Sequence, residues 1–285
     1  MILVFGKTGQ VGEELQRLGG VIVLGRDQAD LSNPSFCADA IYAYAPSAVI
    51  NAAAYTAVDL AEEEETLATI INGYAPISMA QACVALNIPF VHISTDYVFE
   101  GSGDNSWHTT DATDPQNAYG RSKLIAEDGI RASGATHAIL RTSWVISAFG
   151  TNFVKTMLQL SKTRNELSIV GDQIGSPTPA KDIAIACLRI AKYLQIDQTK
   201  SGTYHFSGTP NVSWADFATE IFCQTDCSIK INPILSVDYP TLACRPLNSR
   251  LDCGKTQNIF NIPRPDWRVG LKLILEQLEV FHEKS

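Results

Sequence analysis

The sequence predicts an α/β protein built on a doubly wound parallel sheet, with a smaller and discontinuous lobe towards the carboxyl end. Short runs rich in Val, Ile and Leu alternate with longer segments in which apolar residues recur every three or four positions. This alternation implies right-handed crossovers and helices on both faces of one sheet. A glycine-rich stretch at residues 6–12 follows the first apolar run directly. The two observations together are typical of a Rossmann-type fold.

The predicted elements follow in order along the chain. Strands are expected at residues 2–5, 21–24, 48–51, 90–94 and 137–142, and helices at 10–18, 34–44, 61–86 and 119–133. Beyond residue 150 the pattern loosens, with helices predicted at 151–163, 180–194, 213–224 and 269–282, a strand and turn at 204–208, and an irregular proline-rich segment at 233–265. We therefore predict a dinucleotide-binding domain at 1–150 and a mainly substrate-binding lobe at 151–285, parts of which return to the first domain.

Composition excludes several classes of protein. Of the 285 residues, 45% are hydrophobic and 18% charged, which is typical of a folded chain. The net charge of -8 argues against a sequence-independent nucleic-acid binder, which needs a basic surface. No stretch approaches the roughly 20 apolar residues of a bilayer crossing, so we expect no membrane span. The seven cysteines are odd in number and scattered, which favours reduced thiols in the cytoplasm.

The cysteines do not predict a metal site. Cys223 and Cys227 lie four positions apart on a predicted helix. A structural metal site needs further Cys or His ligands at matched spacing, and the sequence offers none. We therefore expect no metal.

The glycine-rich stretch predicts a binding site for a dinucleotide phosphate. Gly6, Gly9 and Gly12 stand between a predicted strand and a predicted helix. In such a loop the first glycine permits a tight turn, the second lets backbone N–H groups approach a pyrophosphate, and the third allows close packing of helix on strand. The spacing is Gly-x-x-Gly-x-x-Gly rather than the standard Gly-x-Gly-x-x-Gly.

The end of the second strand bears on the choice between the two nicotinamide cofactors. An acid about 20 residues into such a unit binds the ribose 2′-hydroxyl of NAD, whereas an arginine favours the 2′-phosphate of NADP. Arg26 stands at about that position, and Lys7 adds a second cation. The sequence therefore predicts NADPH, with NADH as the alternative. In the other interpretation Arg26 is only solvated, and Asp27 or Asp30 recognises the ribose.

Two further segments frame this cofactor site. Residues 51–56 close the third strand with small side chains, which lets a cofactor lie across the strand end or lets a helix pack closely. The four acids at 62–65 are interpreted as a solvated helix start, because negative charge is favourable near a helix N-terminus.

Tyr119 and Lys123 predict the chemistry. Four positions apart on a helix, a phenol and an ammonium share one face, and the cation, together with the positive charge of an oxidised nicotinamide, would lower a phenol pKa of about 10. Thr95, at the end of the fourth strand, is placed to hydrogen-bond a substrate oxygen. Asp96 beside it either accepts from a sugar hydroxyl or caps a turn. Together with the glycine loop, the pair predicts a reductase.

These motifs carry a resemblance to a known family. The Tyr-x-x-x-Lys pair, Thr95 and the glycine loop are similar to those of the extended short-chain dehydrogenase/reductase superfamily. More narrowly, the chain resembles the dTDP-4-dehydrorhamnose reductase family in five runs, at residues 5–12, 51–59, 94–99, 141–145 and 245–252. The resemblance extends from residue 2 to about 270. It implies reduction of the 4-keto group of a dTDP-4-dehydro-6-deoxy-hexose to dTDP-L-rhamnose with NADPH or NADH. The family commonly has an acid near Arg26, so this chain departs from it there.

The resemblance also implies roles for the cofactor-binding residues. The pyrophosphate would lie on Gly9, Gln10 and Val11. The adenine would lie between Asp30 and Leu31, and the cofactor cleft would be lined by Ala54, Tyr55 and Thr56. Lys123 would contact the nicotinamide ribose.

For the substrate, the resemblance implies that Tyr119 donates the proton and that Thr95 and Asp96 bind the sugar. Trp144 would lie against the substrate, although a tryptophan at a strand end is also typical of a core. Arg245 would neutralise the nucleotide diphosphate, with surface pairing to an acid as the alternative.

Two other functions fit the same scaffold. The first is a nucleotide-sugar epimerase or dehydratase, which regenerates its cofactor in each cycle. The second is a non-catalytic cofactor-binding subunit, similar to the regulatory β subunit of methionine adenosyltransferase, which does not need a proton donor. The intact Tyr119 and Lys123 argue against the second. A homodimer is expected by resemblance alone.

Overall fold

Six parallel strands form the central sheet of the computed structural model, which describes residues 1–225 and 227–279. The strands in chain order are β1 (Ile2–Phe5), β2 (Val21–Leu24), β3 (Ala48–Asn51), β4 (Phe90–Thr95), β5 (His137–Thr142), β6 (Val145–Ile146), β7 (Glu166–Val170), β8 (Ile174–Gly175), β9 (Thr178–Pro179), β10 (Gly202–His205), β11 (Val212–Ser213) and β12 (Lys230–Ile234). The order in the main sheet is β10-β5-β4-β3-β1-β2, and each neighbouring pair is parallel. The chain reverses its direction across the sheet between β1 and β3, which is where such folds bind ligands.

Helices cover both faces of this sheet. They are α1 (Gln10–Leu18), α2 (Pro34–Tyr44), α3 (Leu60–Glu63), α4 (Glu65–Thr69), α5 (Ala75–Leu86), α6 (Ala118–Ala132), α7 (Phe153–Ser161), α8 (Ala180–Ile196), α9 (Trp214–Gln224), α10 (Gly254–Phe260) and α11 (Trp267–Gln277). Alternate strand residues point to opposite faces, so Val4 packs in one core with α1 and α8. Leu3 and Phe5 pack in the other core with α2, α5 and α6. The predicted fold class is confirmed.

The predicted strands and most predicted helices are confirmed within a few residues, but two predictions are wrong. The helix predicted at 61–86 is divided into α3, α4, a π-helical turn at Ile70–Tyr74 and α5. Pro76 at the start of α5 has no N–H to continue the earlier ladder. The segment predicted as irregular contains α10 and the end of β12. Part of the last predicted helix, residues 280–282, lies outside the described residues.

The later half of the chain builds three small sheets, each of two strands: β6 with β9, β7 with β12, and β8 with β11. A third apolar cluster containing Phe217 and Trp267 packs between α7, α9 and α11. Strand β10 leaves this lobe and pairs with β5 at the edge of the main sheet. The division of the chain at about residue 150 stays a prediction.

The acids at 62–65 bind specific partners, so their interpretation as a solvated helix start is incomplete. Glu62 Oε1 accepts the backbone N–H of Ala118, 2.8 Å away, at the first residue of α6. Glu65 accepts two hydrogen bonds from Arg121, at 2.7 and 2.9 Å. Two of the four acids therefore attach α6, which carries Tyr119 and Lys123, to the segment before it.

A buried ion pair fixes the other side of α6. Both carboxylate oxygens of Glu127 accept from Arg141, at 2.9 and 2.6 Å, and Ser94 donates to Glu127 across 2.6 Å. Glu127 and Arg141 are almost completely buried. Burial by itself would raise the pKa of Glu127, but Arg141 and Ser94 reverse the effect and the pKa is lowered. The pair thus ties α6 to β4 and β5.

We expect Glu127→Ala to lower the free energy of unfolding by about 3–5 kcal/mol, because it leaves the Arg141 charge buried without a partner. Urea denaturation at pH 7 measures this loss. Since the pKa of Glu127 is lowered on folding, its contribution is complete above the unfolded value of about 4.5 and disappears as the pH falls through the folded value. The difference between the two proteins should therefore narrow in acid.

The matched control is Asp128→Ala, at the next residue of α6. Asp128 is exposed and pairs with Arg131 at the surface, 2.8 Å away. Exposed pairs contribute about 0–1 kcal/mol, so this variant should remain close to the parent protein. Equal losses in the two variants would contradict the assignment.

Candidate active site

A cavity of about 710 Å³ lies at the carboxyl ends of the main-sheet strands. Its wall includes the residues that directly follow β1, β2 and β3, together with the last residues of β4 and β5. Most of the predicted site residues line it: Gly6, Gly9, Gln10, Val11, Arg26, Asp30, Leu31, Ala54, Thr56, Thr95, Asp96, Tyr119, Lys123 and Trp144. Gly12, Tyr55 and Arg245 do not line it. Residues predicted from separate stretches of sequence thus converge on one cavity.

The glycine loop allows close packing against the end of β3 and against α1. Gly6 has φ +111°, and a Cβ there would lie 2.8 Å from the Ala53 nitrogen. A Cβ on Gly12 would collide with the Gly6 carbonyl oxygen, so the third glycine allows α1 to pack on the loop. Gly9 is the extended residue that begins α1, and with Gln10 and Val11 it borders the cavity. The first N–H groups of a helix lack partners within it, and they favour an anion.

Two cations border the cavity near the turn after β2. Arg26 is exposed on the turn after β2, and Lys7 lies beside the same turn, with its Cδ 3.7 Å from a Cβ position on Gly25. Asp30 is engaged locally, because its Oδ1 accepts the Ser32 N–H across 2.9 Å. This hydrogen bond holds the pKa of Asp30 below its usual value. The charge at this end fits a phosphate on the ribose better than a bare hydroxyl.

The backbone of Tyr55 is held in place by Asn72. Its N–H donates to Asn72 Oδ1 across 2.7 Å, and its carbonyl accepts from Asn72 Nδ2 across 3.0 Å. The phenol turns away and donates to Glu64, which raises the pKa of Tyr55 to about 12. Asn72 lies in the π-helical turn, so the break in the predicted helix is also what fixes the cleft loop at Tyr55.

Tyr119, Thr95 and Asp96 line the same cavity. Thr95 Oγ1 donates to Asp96 Oδ1 and accepts the Tyr97 N–H, each across 3.1 Å. The Tyr97 ring packs edge-on against the Tyr119 ring, with 5.6 Å between centroids. Burial raises the pKa of Asp96 to about 6, and the nearby hydroxyls of Ser249 and Thr95 act in the opposite direction.

The prediction that Lys123 lowers the pKa of Tyr119 is wrong. Burial and then the Asp96 charge raise this pKa above its ordinary value of 10, and only the hydrogen bond with Thr95 acts to lower it. Lys123 acts elsewhere, since its Nζ lies 2.7 Å from the Ile93 carbonyl and 3.1 Å from His92 Nε2. Burial lowers the pKa of Lys123 to about 7, opposed by the charge of Glu127. At neutral pH the phenol is therefore fully protonated, as a proton donor must be.

An aromatic stack closes the cavity towards the later lobe. Trp144 has φ +49° and stacks on Trp214, with 3.6 Å between centroids and 12° between planes. A Cβ on Gly175 would lie 2.6 Å from the Trp144 ring, so glycine is required there. Trp144 is half-buried and lines the cavity with Trp214 and Phe153.

Sequence reasoning missed Trp214 and Phe153. The sequence contains one indication of the position of Trp214, because Ser213 and Asp216 form a capping box that fixes the start of α9. This places Trp214 at the first turn of a helix, but nothing in the sequence brings that turn to the cavity.

Arg245 is bound to an acid outside the cavity wall. Its Nη2 lies 2.5 Å from Asp59 Oδ2, and Asp59 Oδ1 also accepts the Ala243 N–H across 3.1 Å. The segment at 243–245 is thereby fastened to the residue that precedes α3.

Neither a metal nor a membrane helix is found in the described part of the chain. Over residues 1–225 and 227–279, no three His, Cys, Asp or Glu side chains are grouped as a metal site requires. No helix in the same ranges has the length and apolar character of a membrane span.

The fold and the site define an extended short-chain dehydrogenase/reductase. The family model described as the RmlD substrate binding domain matches residues 1–280. The chain is 40% identical to the dTDP-4-dehydrorhamnose reductase of Shigella flexneri, over 97% of each chain. It therefore belongs to the dTDP-4-dehydrorhamnose reductase family.

Two solved structures of dTDP-4-dehydrorhamnose reductases have the same fold as this chain. A dTDP-4-dehydrorhamnose reductase from Clostridium acetobutylicum superposes with a TM-score of 0.90 at 36% identity, covering 98% of this chain and 99% of that one. The enzyme from Bacillus anthracis, solved in complex with NADP, gives a TM-score of 0.89 at 33% identity, covering 97% and 98%.

Two glycine substitutions should separate packing from cofactor binding. Gly12→Ala places a methyl group against the Gly6 carbonyl, and such overpacking typically costs about 1–3 kcal/mol, so its thermal midpoint should fall. In Gly9→Ala the nearest atom to the new methyl is 3.4 Å away and φ is ordinary, so the fold should persist. Gly9 borders the cavity at the predicted phosphate loop, so NADPH affinity should fall at least about tenfold by fluorescence titration. Unchanged affinity in Gly9→Ala would contradict the assignment.

Proposed function

We propose that this protein reduces the 4-keto group of dTDP-4-dehydro-6-deoxy-L-mannose to give dTDP-L-rhamnose, with NADPH as the preferred reductant and NADH as the alternative. The main support is the convergence of Tyr119, Thr95 and Lys123 with the glycine loop in one cavity. Membership of a family whose members are named for this reaction supports the substrate.

The proposed cofactor site runs along the carboxyl edge of the sheet. Gly6, Gly9, Gln10, Val11 and Gly12 form the phosphate loop, although Gly12 acts through packing. Arg26, assisted by Lys7, binds the ribose 2′-phosphate. Asp30 and Leu31 would hold the adenine, and Ala54, Thr56 and the backbone of Tyr55 would hold the nicotinamide half. When bound, the nicotinamide supplies the hydride for the keto carbon.

The proposed chemistry of the chain concerns the carbonyl oxygen. As negative charge builds there, the Tyr119 hydroxyl donates its proton, and Thr95 donates a hydrogen bond that stabilises the oxyanion. In the structure the Thr95 hydroxyl donates to Asp96, so this role requires the hydroxyl to rotate from Asp96 to the substrate. Asp96, freed of that bond, then accepts from a sugar hydroxyl. Lys123 supplies positive charge beside the ribose.

The remaining proposed substrate contacts are made by Trp144, which follows β5, and by Arg245 of the later lobe. Trp144, supported by Trp214, offers an aromatic face to the sugar ring. Arg245 is proposed to neutralise the diphosphate. Because it is paired with Asp59, this contact requires it either to leave Asp59 or to use its remaining N–H donors.

The decisive experiment is incubation with dTDP-4-keto-6-deoxy-L-mannose and NADPH, with the absorbance of the reduced cofactor followed and the sugar product identified. We expect one NADPH oxidised for each dTDP-L-rhamnose formed. Conversion without net oxidation would indicate an epimerase or dehydratase. Tight NADPH binding with no conversion of any keto sugar would indicate the regulatory-subunit alternative.

Replacement of Tyr119 by Phe should lower kcat by about 10²–10⁴-fold, because it removes the proton donor and preserves the ring. NADPH affinity should change little. The matched control is Tyr97→Phe, which makes the same change in the neighbouring ring and should retain at least about a tenth of kcat. If the Tyr119 variant retains most of its activity, the donor is another group.

Replacement of Arg26 by Asp should reverse the cofactor preference. Loss of one charge-assisted bond to the 2′-phosphate should lower kcat/KM with NADPH by about 10–100-fold, while kcat/KM with NADH stays level or rises. Arg164→Asp makes the same change at an exposed residue outside the cavity and serves as the control. An unchanged NADPH-to-NADH ratio in Arg26→Asp would refute the role of Arg26.

The homodimer, the cytoplasmic location and the lack of nucleic-acid binding stay predictions. Size-exclusion chromatography with light scattering would test the first.

A further inference from the structure

His92 is a buried ionisable residue to which the proposed chemistry gives no role. It lies in β4 with no exposed surface, behind the cavity wall that Ile93 and Lys123 help to form. Its register partner in β3 is Asn51. One ring nitrogen of His92 faces Asn51 and the other faces Lys123, so the three side chains form a chain of contacts from the sheet to the cavity.

The backbone fixes the orientation of Asn51. The Ala53 N–H donates to Asn51 Oδ1 across 3.1 Å. The reverse orientation would set the amide NH₂ against this N–H, with two donors facing each other. Asn51 Nδ2 therefore points to His92 Nδ1, 3.1 Å away, and donates to it. His92 Nδ1 is an acceptor and carries no hydrogen.

The hydrogen of the ring must then be on Nε2. Neutral imidazole has one protonated nitrogen, and burial holds the pKa of His92 well below its ordinary value, so the ring is neutral. Nε2–H lies 3.1 Å from Lys123 Nζ. An ammonium has three donors and no acceptor, so it cannot receive this hydrogen. A neutral amine can receive it, with its lone pair towards His92 and an N–H towards the Ile93 carbonyl at 2.7 Å.

We propose that His92 is a positioning residue for Lys123: oriented by Asn51, its Nε2–H donates to the Lys123 amine and holds that amine in the neutral form. The Asn51–His92 pair thereby sets the pH at which Lys123 takes up a proton. Lys123 touches the cavity, whereas His92 acts only through it.

The ionisable and polar groups around Lys123 are consistent with this arrangement. Burial lowers the pKa of Lys123 to about 7, so the amine is half neutral near physiological pH. On α6 the facing ionisable groups are Tyr119, one turn before Lys123, and Glu127, one turn after. Glu127 favours the charged amine but is bound by Arg141 of β5 in two hydrogen bonds. From β3 the facing group is the uncharged Asn51, and from the π-helical turn the nearby polar group is the uncharged Asn72, which binds Ser122.

The consequence for activity rests on the proposed function, in which Lys123 acts as a cation. The active protonation state is then lost as the pH rises through the pKa of Lys123. The pH profile of kcat/KM, which reports groups of the free enzyme, should fall on its alkaline side near pH 7. Any change in the donor at His92 should move that limb.

The first test is independent of activity. Nitrogen-15 spectra of histidine-labelled protein, without added cofactor, distinguish a protonated from an unprotonated ring nitrogen. We expect His92, assigned by its loss in a His92 variant, to be neutral with a protonated Nε2 and an unprotonated Nδ1 at pH 7. A protonated Nδ1 would overturn the proposal even if the protein proved to be a reductase. The expected tautomer would support the proposal even if the protein proved not to be a reductase.

The second test changes the donor. In His92→Gln the side-chain oxygen can accept from an ammonium, so the alkaline limb of kcat/KM should move up by about one pH unit, equivalent to one hydrogen bond to a charged group. Asn51→Asp should move the limb the same way, because a carboxylate accepts from Nδ1–H and so shifts the ring hydrogen away from Nε2. The nitrogen-15 spectrum of this variant should show the opposite tautomer.

The control is His137→Gln, the same substitution in the neighbouring strand. His137 binds the Ala135 carbonyl and lies outside the cavity. Its profile should superimpose on that of the parent protein. If the alkaline limb of His92→Gln also coincides with that of the parent protein, His92 does not set the protonation of Lys123. The same conclusion follows if the limbs of both histidine variants shift by the same amount.

Discussion

The close approach of α6 to the turn after β4 is the constraint on which the site depends. A Cβ on Gly120 would collide with the Tyr97 carbonyl oxygen, so only glycine lets the helix backbone lie against that turn. Asn117 caps the helix by accepting the Gly120 N–H across 2.8 Å. This contact places Tyr119 opposite Thr95, which lies 24 residues earlier in the chain. Without it, Tyr119 of α6 and Thr95 of β4 would not be held at the same cavity.

Three carboxylates attach α6 to the neighbouring elements. Glu62 binds its first N–H, Glu65 binds Arg121 on its outer surface, and Glu127 binds Arg141 beneath it. An acidic protein therefore uses several of its carboxylates internally. The cations that border the cavity, Arg26 and Lys7, have no salt-bridge partner within the described residues. Two cations therefore border this end of the cavity beside Asp30, in a chain that carries -8 as a whole.

Burial acts oppositely on the two groups of the Tyr-x-x-x-Lys pair. It raises the pKa of Tyr119 and lowers that of Lys123, because in each case it disfavours the charged form. Tyr119 is therefore neutral at neutral pH, whereas Lys123, with a pKa of about 7, changes there from ammonium to amine. Two titratable groups whose pKa values are driven apart by their surroundings are typical of acid–base sites. The contact of Lys123 with His92 gives this electrostatic state a geometric basis.

The sequence by itself determined the sheet, the glycine loop and the strand ends that border the cavity, because strand periodicity and the steric needs of a turn are local. It could not determine the break at 70–74, where Asn72 leaves the helical pattern to bind the Tyr55 backbone. Nor could it show that Lys123 turns to His92, that Trp214 stacks on Trp144, or that Arg245 pairs with Asp59. Each of these joins residues far apart in the chain, and such contacts exist only once the sheet has brought its strands together. The pKa of Tyr119 was mispredicted for the same reason, since burial is a property of the folded surroundings and no spacing along a helix encodes it.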